Sequence, residues 1–322
     1  MTKITFEHDE FEANPQFSLL EHLLERGHAI ANSCRAGICQ SCKVQLVAGE
    51  VNPQTQMGLP ATLVDAGVFL SCCCFPTSDL SIQSVDLTSL SHKALVLEHD
   101  MLNEDVLRLR VKSEVKWQAG QVVNCIAEAG TVRSYSIAST SDQDYIELHI
   151  RIYPTGQFGQ WAKHQLSVGD TFKIEQPFGE CVYDSADDGK NLVLVATGTG
   201  LSPIYGVLQE AVKQRHQGSI DLYVAAGSPD RLYYQSELDA LAEKMPELRV
   251  HYVVRRAAQG AIYQGMYQGN VEDLVLENHS NLRNTVMYLC GASEMINTLE
   301  KKCFFRGIKR DDMKVDRFEP AA

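Results

Sequence analysis

The sequence predicts a multidomain α+β and α/β chain: a small cysteine-bearing unit, then an antiparallel β unit, then a parallel α/β unit. Three observations predict it. Six of the ten cysteines fall between positions 34 and 74. From Ala94 to about Glu180 apolar residues recur with period two, as in Ile146, Leu148, Ile150 and Ile152 set around Glu147, His149 and Arg151. From Lys190 onward short apolar runs alternate with helical patterns, the mark of a parallel sheet covered by helices. The 322 residues give room for about two domains or three small ones.

Each unit can be justified in order. In the first, Ile4 and Phe6 alternate with polar residues as in a strand, and Leu19, Leu20, Leu23 and Leu24 follow Ser18 at helical spacing. Ser18 and Glu21 form a capping box, and Gly27 is placed to stop the helix. The polar stretch Asp86 to Lys93 reads as a linker. In the second unit, Gly-Gln at 120–121, Ala-Gly at 129–130 and Gly-Asp at 169–170 punctuate strands of a barrel or sandwich. In the third, Leu192–Ala196 is a strand and a helix follows to Arg215. Ile220–Ala226, Val250–Val254 and Val286–Cys290 are further strands, and helices are expected at Gln235–Lys244 and Ser293–Phe304.

Composition excludes several classes. Apolar residues are 44% and charged residues 22%, as in a soluble globular protein and unlike a disordered one. The net charge of −12 argues against binding nucleic acid or an anionic membrane surface. No apolar run approaches the ~18 residues of a membrane span, so no membrane insertion is expected. Glu7, Asp9, Glu10 and Glu12 make the N-terminus unlike a signal or transit peptide, and a cytoplasmic location is expected. In that compartment the ten cysteines are not expected to be disulfides. Residues 1–89 are the more acidic part, with ten acidic against four basic residues.

Cys34, Cys39 and Cys42, then Cys72 after 29 intervening residues, have the plant-type [2Fe–2S] spacing. Gly67, Leu70 and Cys72 favour Cys72 over Cys73 or Cys74 as the fourth ligand. A zinc site built from Cys39, Cys42, Cys72 and Cys74 is the alternative, and it leaves Cys34 unexplained. Cys125, Cys181, Cys290 and Cys303 read as small buried hydrophobes.

The run from Cys34 through Arg35, Ala36, Gly37, Ile38, Cys39, Gln40 and Ser41 to Cys42 resembles the ferredoxin domain of bacterial oxygenase reductases. Gln40 stands where that family commonly has glycine. Arg133-Ser134-Tyr135-Ser136 resembles the R-x-Y-S flavin motif of the ferredoxin–NADP reductase superfamily. The resemblance implies that Arg133 pairs with a flavin phosphate, Tyr135 covers the flavin and Ser136 lies near its N5. His149, Arg151, Gly156 and Gly159 resemble the second flavin segment, which leads into a helix through Trp161. His149 and Arg151 fit a solvated strand face equally well.

Thr197, Gly198, Thr199 and Gly200, followed by Pro203, resemble the superfamily's pyridine-nucleotide loop. Ser228, Asp230 and Arg231 follow the next strand, where an adenine ribose would lie. Asp230 suits the 2′-hydroxyl of NADH; Ser228 and Arg231 suit the 2′-phosphate of NADPH. Cys290 and Gly291 resemble the segment beside the nicotinamide, and Asp316-Arg317-Phe318 the acidic-x-aromatic ending in which Phe318 stacks on the flavin.

The resemblance covers nearly the whole chain. It implies a β-grasp ferredoxin domain over 1–89, an antiparallel β-barrel FAD-binding domain over 90–186 and an α/β NAD(P)-binding domain over 187–322. Hydride would pass from NADH or NADPH to FAD near the catalytic residues Ser136, Cys290 and Phe318, and single electrons would leave through the cluster. The expected acceptor is the terminal component of an oxygenase, docked through a basic patch. A deoxysugar dehydrase is the next candidate, and a non-enzymatic redox sensor is the reading from another class. A monomer is expected.

Overall fold

The computed structural model describes residues 2–86, 90–128, 130–257 and 265–318, and its strands form three sheets.

The first sheet holds β1 (Thr2–Phe6), β2 (Asp9–Ala13), β3 (Lys43–Ala48), β4 (Val68–Leu70) and β5 (Leu80–Ser84), ordered β2-β1-β5-β3-β4. Helices α1 (Leu19–Glu25) and α2 (Ala61–Asp65) accompany it. The capping box starts α1: Ser18 Oγ accepts from the Glu21 N–H, and the Glu21 carboxylate accepts from the Ser18 N–H at 2.7 Å. Gly27, at φ +83°, ends the helix as expected. The helix then buries Leu19 and Leu23 against Ile4, Phe6, Val44 and Phe69.

The second sheet holds β6 (Ser91–Met101), β7 (Val106–Lys112), β8 (Val122–Ile126), β9 (Val132–Ser136), β10 (Ile146–Arg151) and β11 (Thr171–Glu175). Its order is β10-β7-β6-β11-β8-β9, antiparallel throughout, and a bridge from Ile137 to Leu148 brings its two ends together. Helix α3 (Gln157–His164) packs beside it through Phe158 and Ala162. Two expectations are corrected here. The linker expected over 86–93 gives way at Ser91, because Ser91, His92 and Lys93 pair with Glu175, Ile174 and Lys173; residues 87–89 lie outside the described residues, as does position 129 of the Ala-Gly turn. The alternation of β10 does not yield a solvated face either: Glu147 and His149 are buried as deeply as the isoleucines beside them.

The third sheet is parallel, with β12 (Asn191–Thr197), β13 (Ile220–Ala226), β14 (Leu248–Val254), β15 (Met266–Gln268), β16 (Thr285–Ala292) and β17 (Met313–Phe318) ordered β15-β14-β13-β12-β16-β17. Helices α4 (Leu201–Lys213), α5 (Gln235–Lys244), α6 (Val271–Asn278) and α7 (Ser293–Phe304) cover both faces. Alternate residues of β12 explain why two layers are needed. Leu192, Leu194 and Ala196 join the core with α4 and α5, while Val193 and Val195 join that with α6 and α7. Truncating such a buried leucine to alanine costs about 2–5 kcal/mol. No helix among the described residues is long and apolar enough to cross a membrane.

Candidate functional site

The four cysteines read from their spacing stand as two pairs. Backbone N–H groups of Ala36 and Cys39 point at Cys34 Sγ at 3.4 and 3.3 Å, and Cys34 N–H and Ser41 Oγ point at Cys39 Sγ at 3.5 and 3.3 Å. The backbone N–H of Cys34 and that of Cys39 thus each point at the other's sulfur. Cys42 and Cys72 form the other pair: hydrogen bonding between them holds the Cys42 thiol below its ordinary range and lifts Cys72 above it. In the first pair hydrogen bonding by Cys34 lowers Cys39 to about 5. Two pairs of sulfurs with donors aimed at them fit two irons, each taking two thiolates. The zinc alternative fits less well, because Cys74 is turned into the core with Ile4 and Phe6 while Cys42 and Cys72 face Leu20 and Leu70.

The loop that carries these cysteines is tight. Gly37 lies at φ +79°, and a Cβ there would come 2.6 Å from Cys73 Sγ. Gln40 takes φ +53°, a left-handed conformation that explains why glycine is common at this place. Its side chain holds it there by donating from Nε2 to the Gly58 carbonyl at 2.7 Å.

Strand β9 links this loop to the rest of the molecule, because its successive residues face opposite ways. On one face, Thr131 just before it reaches Gln157, and the Tyr135 ring meets Phe158 at a tilt, 5.2 Å between ring centroids. Arg133 lies between them in the alternation, its Nη1 donating to the Val132 carbonyl at 2.7 Å, and the N-terminal N–H groups of α3 receive no side-chain cap. An arginine beside uncapped helix N–H groups suits a pyrophosphate. On the other face, Ser134 Oγ lies 3.4 Å from the Cys39 carbonyl, and Ser136 Oγ donates to Asp316 Oδ2 at 2.7 Å. β9 thus touches α3 on one face and the cysteine loop and Asp316 on the other.

The nucleotide end of the site is set by glycines. Strand β12 has β13 on one side and β16 on the other, so a crevice opens at its carboxyl end. Gly198 (φ +56°), Thr199 and Gly200 turn there. A Cβ on Gly200 would meet the Cys290 carbonyl oxygen at 2.2 Å, and one on Gly291 (φ +122°) would meet Thr197 Oγ1 at 2.1 Å. Thr197 Oγ1 also accepts from the Ala292 N–H at 2.8 Å. The two loops can approach only as glycines. Cys290 pairs in register with Asp316, and Ala292 with Phe318, so Cys290, Asp316 and Phe318 line one corner with Ser136. Ser202 of α4 closes that corner by donating to the Ser136 carbonyl at 2.7 Å. Burial pushes the Asp316 carboxyl up to about 6, opposed by the Ser136 hydrogen bond.

Other expected site residues have different surroundings. His149 is buried, with Nδ1 3.0 Å from Tyr233 Oη and Nε2 3.1 Å from Glu147 Oε1, which removes the solvated-face reading. Arg151 and Arg231 both pair with Asp105, Arg151 at 2.7 Å, while Asp230 is exposed and Ser228 precedes a short turn. Gly156 caps α3, and Gly159 lets that helix approach the Arg151 carbonyl, which a Cβ would reach at 3.1 Å. Asp316 was legible only as part of an ending motif, and Asp105 and Cys181, the latter 3.5 Å from Cys290 sulfur to sulfur, carried no sequence signal.

Comparison with known proteins gives the same order of parts. Residues 4–77 match the 2Fe-2S iron-sulfur cluster binding domain, 93–183 the oxidoreductase FAD-binding domain and 194–301 the oxidoreductase NAD-binding domain. The chain is 30% identical over 319 residues to the reductase component 1 of terephthalate 1,2-dioxygenase from Comamonas sp., covering 96% of this chain and 94% of the other. It is 27% identical to a CDP-6-deoxy-L-threo-D-glycero-4-hexulose-3-dehydrase reductase of Yersinia pestis, covering 97% and 96% of the two chains. Among solved structures it resembles an Amycolatopsis cytochrome P450 reductase, with a TM-score of 0.70, 26% identity and full coverage of both chains.

Proposed function

The chain belongs to the reductase components that join a [2Fe–2S] cluster-binding domain to FAD- and NAD-binding oxidoreductase domains, and from that premise we propose that it feeds electrons from NADH to the terminal component of an oxygenase. It is an NAD(P)H-dependent oxidoreductase with a [2Fe–2S] cluster and FAD as cofactors. FAD bound to this chain would supply the chemistry that links a two-electron hydride donor to a one-electron cluster.

The observation that carries the reading is the placing of β9 between the other two sheets, with Ser134 beside Cys39 and Ser136 on Asp316. Arg133 and the N–H groups of α3 would hold the flavin phosphates. Tyr135 would lie against the ring system. Ser136, Cys290 and Phe318 would line the place where nicotinamide and flavin meet, with Asp316 accepting from Ser136 Oγ and so fixing that hydroxyl. Gly198, Thr199, Gly200 and Gly291 would let the nucleotide approach the backbone, with Ser228, Asp230 and Arg231 at its ribose end. Cys34, Cys39, Cys42 and Cys72 would bind the cluster. We take the domains as 1–89, a β-grasp; 90–186, a closed β-barrel supported by the Ile137–Leu148 bridge; and 187–322. The similarity to a dehydrase reductase supports a second reading, in which the acceptor is not an oxygenase.

The test is an anaerobic visible titration of the purified protein with NADH and with NADPH. Bleaching of flavin and cluster bands by about three electrons per chain supports the relay. A flavin that neither nucleotide reduces would overturn it.

A further inference from the structure

A buried ring of polar contacts joins the cysteine loop to the sheet that carries β9. Lys43, next to Cys42, donates from Nζ to Glu175 Oε2 of β11 at 2.6 Å. Its side chain is 3% exposed and that of Glu175 8%. The same carboxylate oxygen accepts from Asn124 Nδ2 of β8 at 2.9 Å. Asn124 Oδ1 accepts from Ser134 Oγ of β9 at 2.7 Å, and Ser134 lies 3.4 Å from the Cys39 carbonyl. The ring thus leaves the loop at Lys43 and returns to it at Cys39.

We propose that Lys43, Glu175, Asn124 and Ser134 are positioning residues that hold the cysteine loop on β9 in one orientation, so that the cluster is reduced by the flavin of its own chain. The proposal rests on the electron relay described above. A lysine and a glutamate hidden from water add little strength, because desolvation offsets their attraction. What they add is selectivity: the pair is tolerable only where both hydrogen-bonding partners are in place, so other dockings of the first sheet on the second leave a bare buried charge. Ser134 occupies the variable place of the flavin motif, and its side chain points to the cysteine loop while that of Tyr135 meets Phe158 of α3. One strand thereby fixes both ends of the path. Flavin and cluster, held at the two ends of that strand, would supply the conversion from two-electron to one-electron chemistry.

The test uses the full chain loaded with FAD and cluster, as wild type, Lys43→Met, and the neutral double variant Lys43→Met/Glu175→Gln, which leaves no buried unpaired charge. NADH–ferricyanide turnover reads the flavin half, rapid-mixing absorbance reads flavin-to-cluster transfer, and the electron spin resonance signal of the dithionite-reduced cluster reads its integrity. The expected result is transfer slowed about tenfold or more in both variants, with ferricyanide turnover within about twofold of wild type and an unchanged cluster signal. Wild-type transfer rates in the double variant would overturn the proposal, and so would loss of the cluster signal from both variants, which would make Lys43 a cluster-retention residue. If the wild type itself shows no NADH-driven bleaching of its cluster, the relay fails, and the positioning role fails with it.

Discussion

Ser136 Oγ donates a 2.7 Å hydrogen bond to Asp316 Oδ2, joining the edge strand of the second sheet to the edge strand of the third. The contact lies under Cys290, in register with Asp316, and is closed from below by Ser202. A carboxyl held there is an unusual group, since burial raises it from 3.8 to about 6.

The first prediction concerns its titration. Turnover with NADH and ferricyanide should show an inflection near pH 6 that Asp316→Asn abolishes. The Ser136 hydrogen bond favours the charged carboxylate, so Ser136→Ala should move the inflection to higher pH. For stability the sign runs the other way from a salt-bridged aspartate. Between pH 3.8 and about 6 the unfolded chain gives up its proton first. Stability therefore falls across that window, and the full cost is present above it. Asp316→Asn should match wild type in thermal unfolding near pH 4 and gain on it as pH rises to 7. An unchanged pH profile in the variant would count against Asp316 as the titrating group.

A second prediction separates the cysteines of the run at 72–74. Cys72→Ser should abolish the cluster, because it breaks the pair with Cys42. Cys74→Ser should leave the iron content and visible spectrum near wild type, since Cys74 sits among Ile4 and Phe6. It should lower stability by about 1–3 kcal/mol as a hydroxyl replaces a buried thiol. Iron analysis and thermal unfolding read both.

A third concerns Gln40. Its left-handed backbone costs about 1–2 kcal/mol relative to glycine, and its bond to Gly58 offsets about 1 kcal/mol of that. Gln40→Gly should therefore be near neutral, and Gln40→Ala should lose the bond while keeping the strain. The alanine variant should release its cluster faster on exposure to air, followed as loss of visible absorbance.

Much of this was legible in the sequence, and the exceptions have one cause. The strand Ile220–Ala226 and the helices expected from about Gln235 to Lys244 and from Ser293 to about Phe304 are present, because each shows its own period and is bounded by turn residues. The capping box at Ser18 is likewise local. Strand β17 was missed because an edge strand of Lys314, Asp316 and Arg317 has no apolar run, and its place comes from pairing with β16. His149, which with Arg151 fits a solvated face by sequence, is covered by Tyr233 and Tyr234 from the segment just before α5. Lys43 and Glu175 are 132 residues apart, and no spacing rule links them. Local chemistry is written in the order of residues; burial between sheets is not.

The fourth prediction tests the glycine contact under the nucleotide loop. Gly200→Ala puts a methyl group 2.2 Å from a backbone oxygen, which no side chain can relieve by turning away. The variant should lose about 1–3 kcal/mol of stability and weaken NADH binding, because Cys290 and the loop must separate. Gly227→Ala, where an added Cβ meets nothing within 4 Å, is the control and should retain both. Thermal unfolding and NADH titration of the oxidised protein distinguish the two.

The last prediction concerns the choice of nucleotide. Arg231 is the cation expected to recognise a 2′-phosphate, yet its guanidinium is drawn onto Asp105, which also holds Arg151 at 2.7 Å. A carboxylate that already holds Nη1 of Arg231 competes with the phosphate for that donor. Asp230, exposed beside it, is left to accept from a 2′-hydroxyl. NADH should therefore be the better donor. Asp105→Asn removes the competing charge, and kcat/KM for NADPH should rise about tenfold relative to NADH, a change of about 1.4 kcal/mol. Asp230→Ala should narrow the preference from the other side by weakening NADH. FAD content must be measured in the Asp105 variant, because Arg151 loses the same partner. If NADPH is already preferred by the wild type, the pairing of Arg231 with Asp105 gives way on nucleotide binding, and the discrimination lies with Ser228 and Arg231 together.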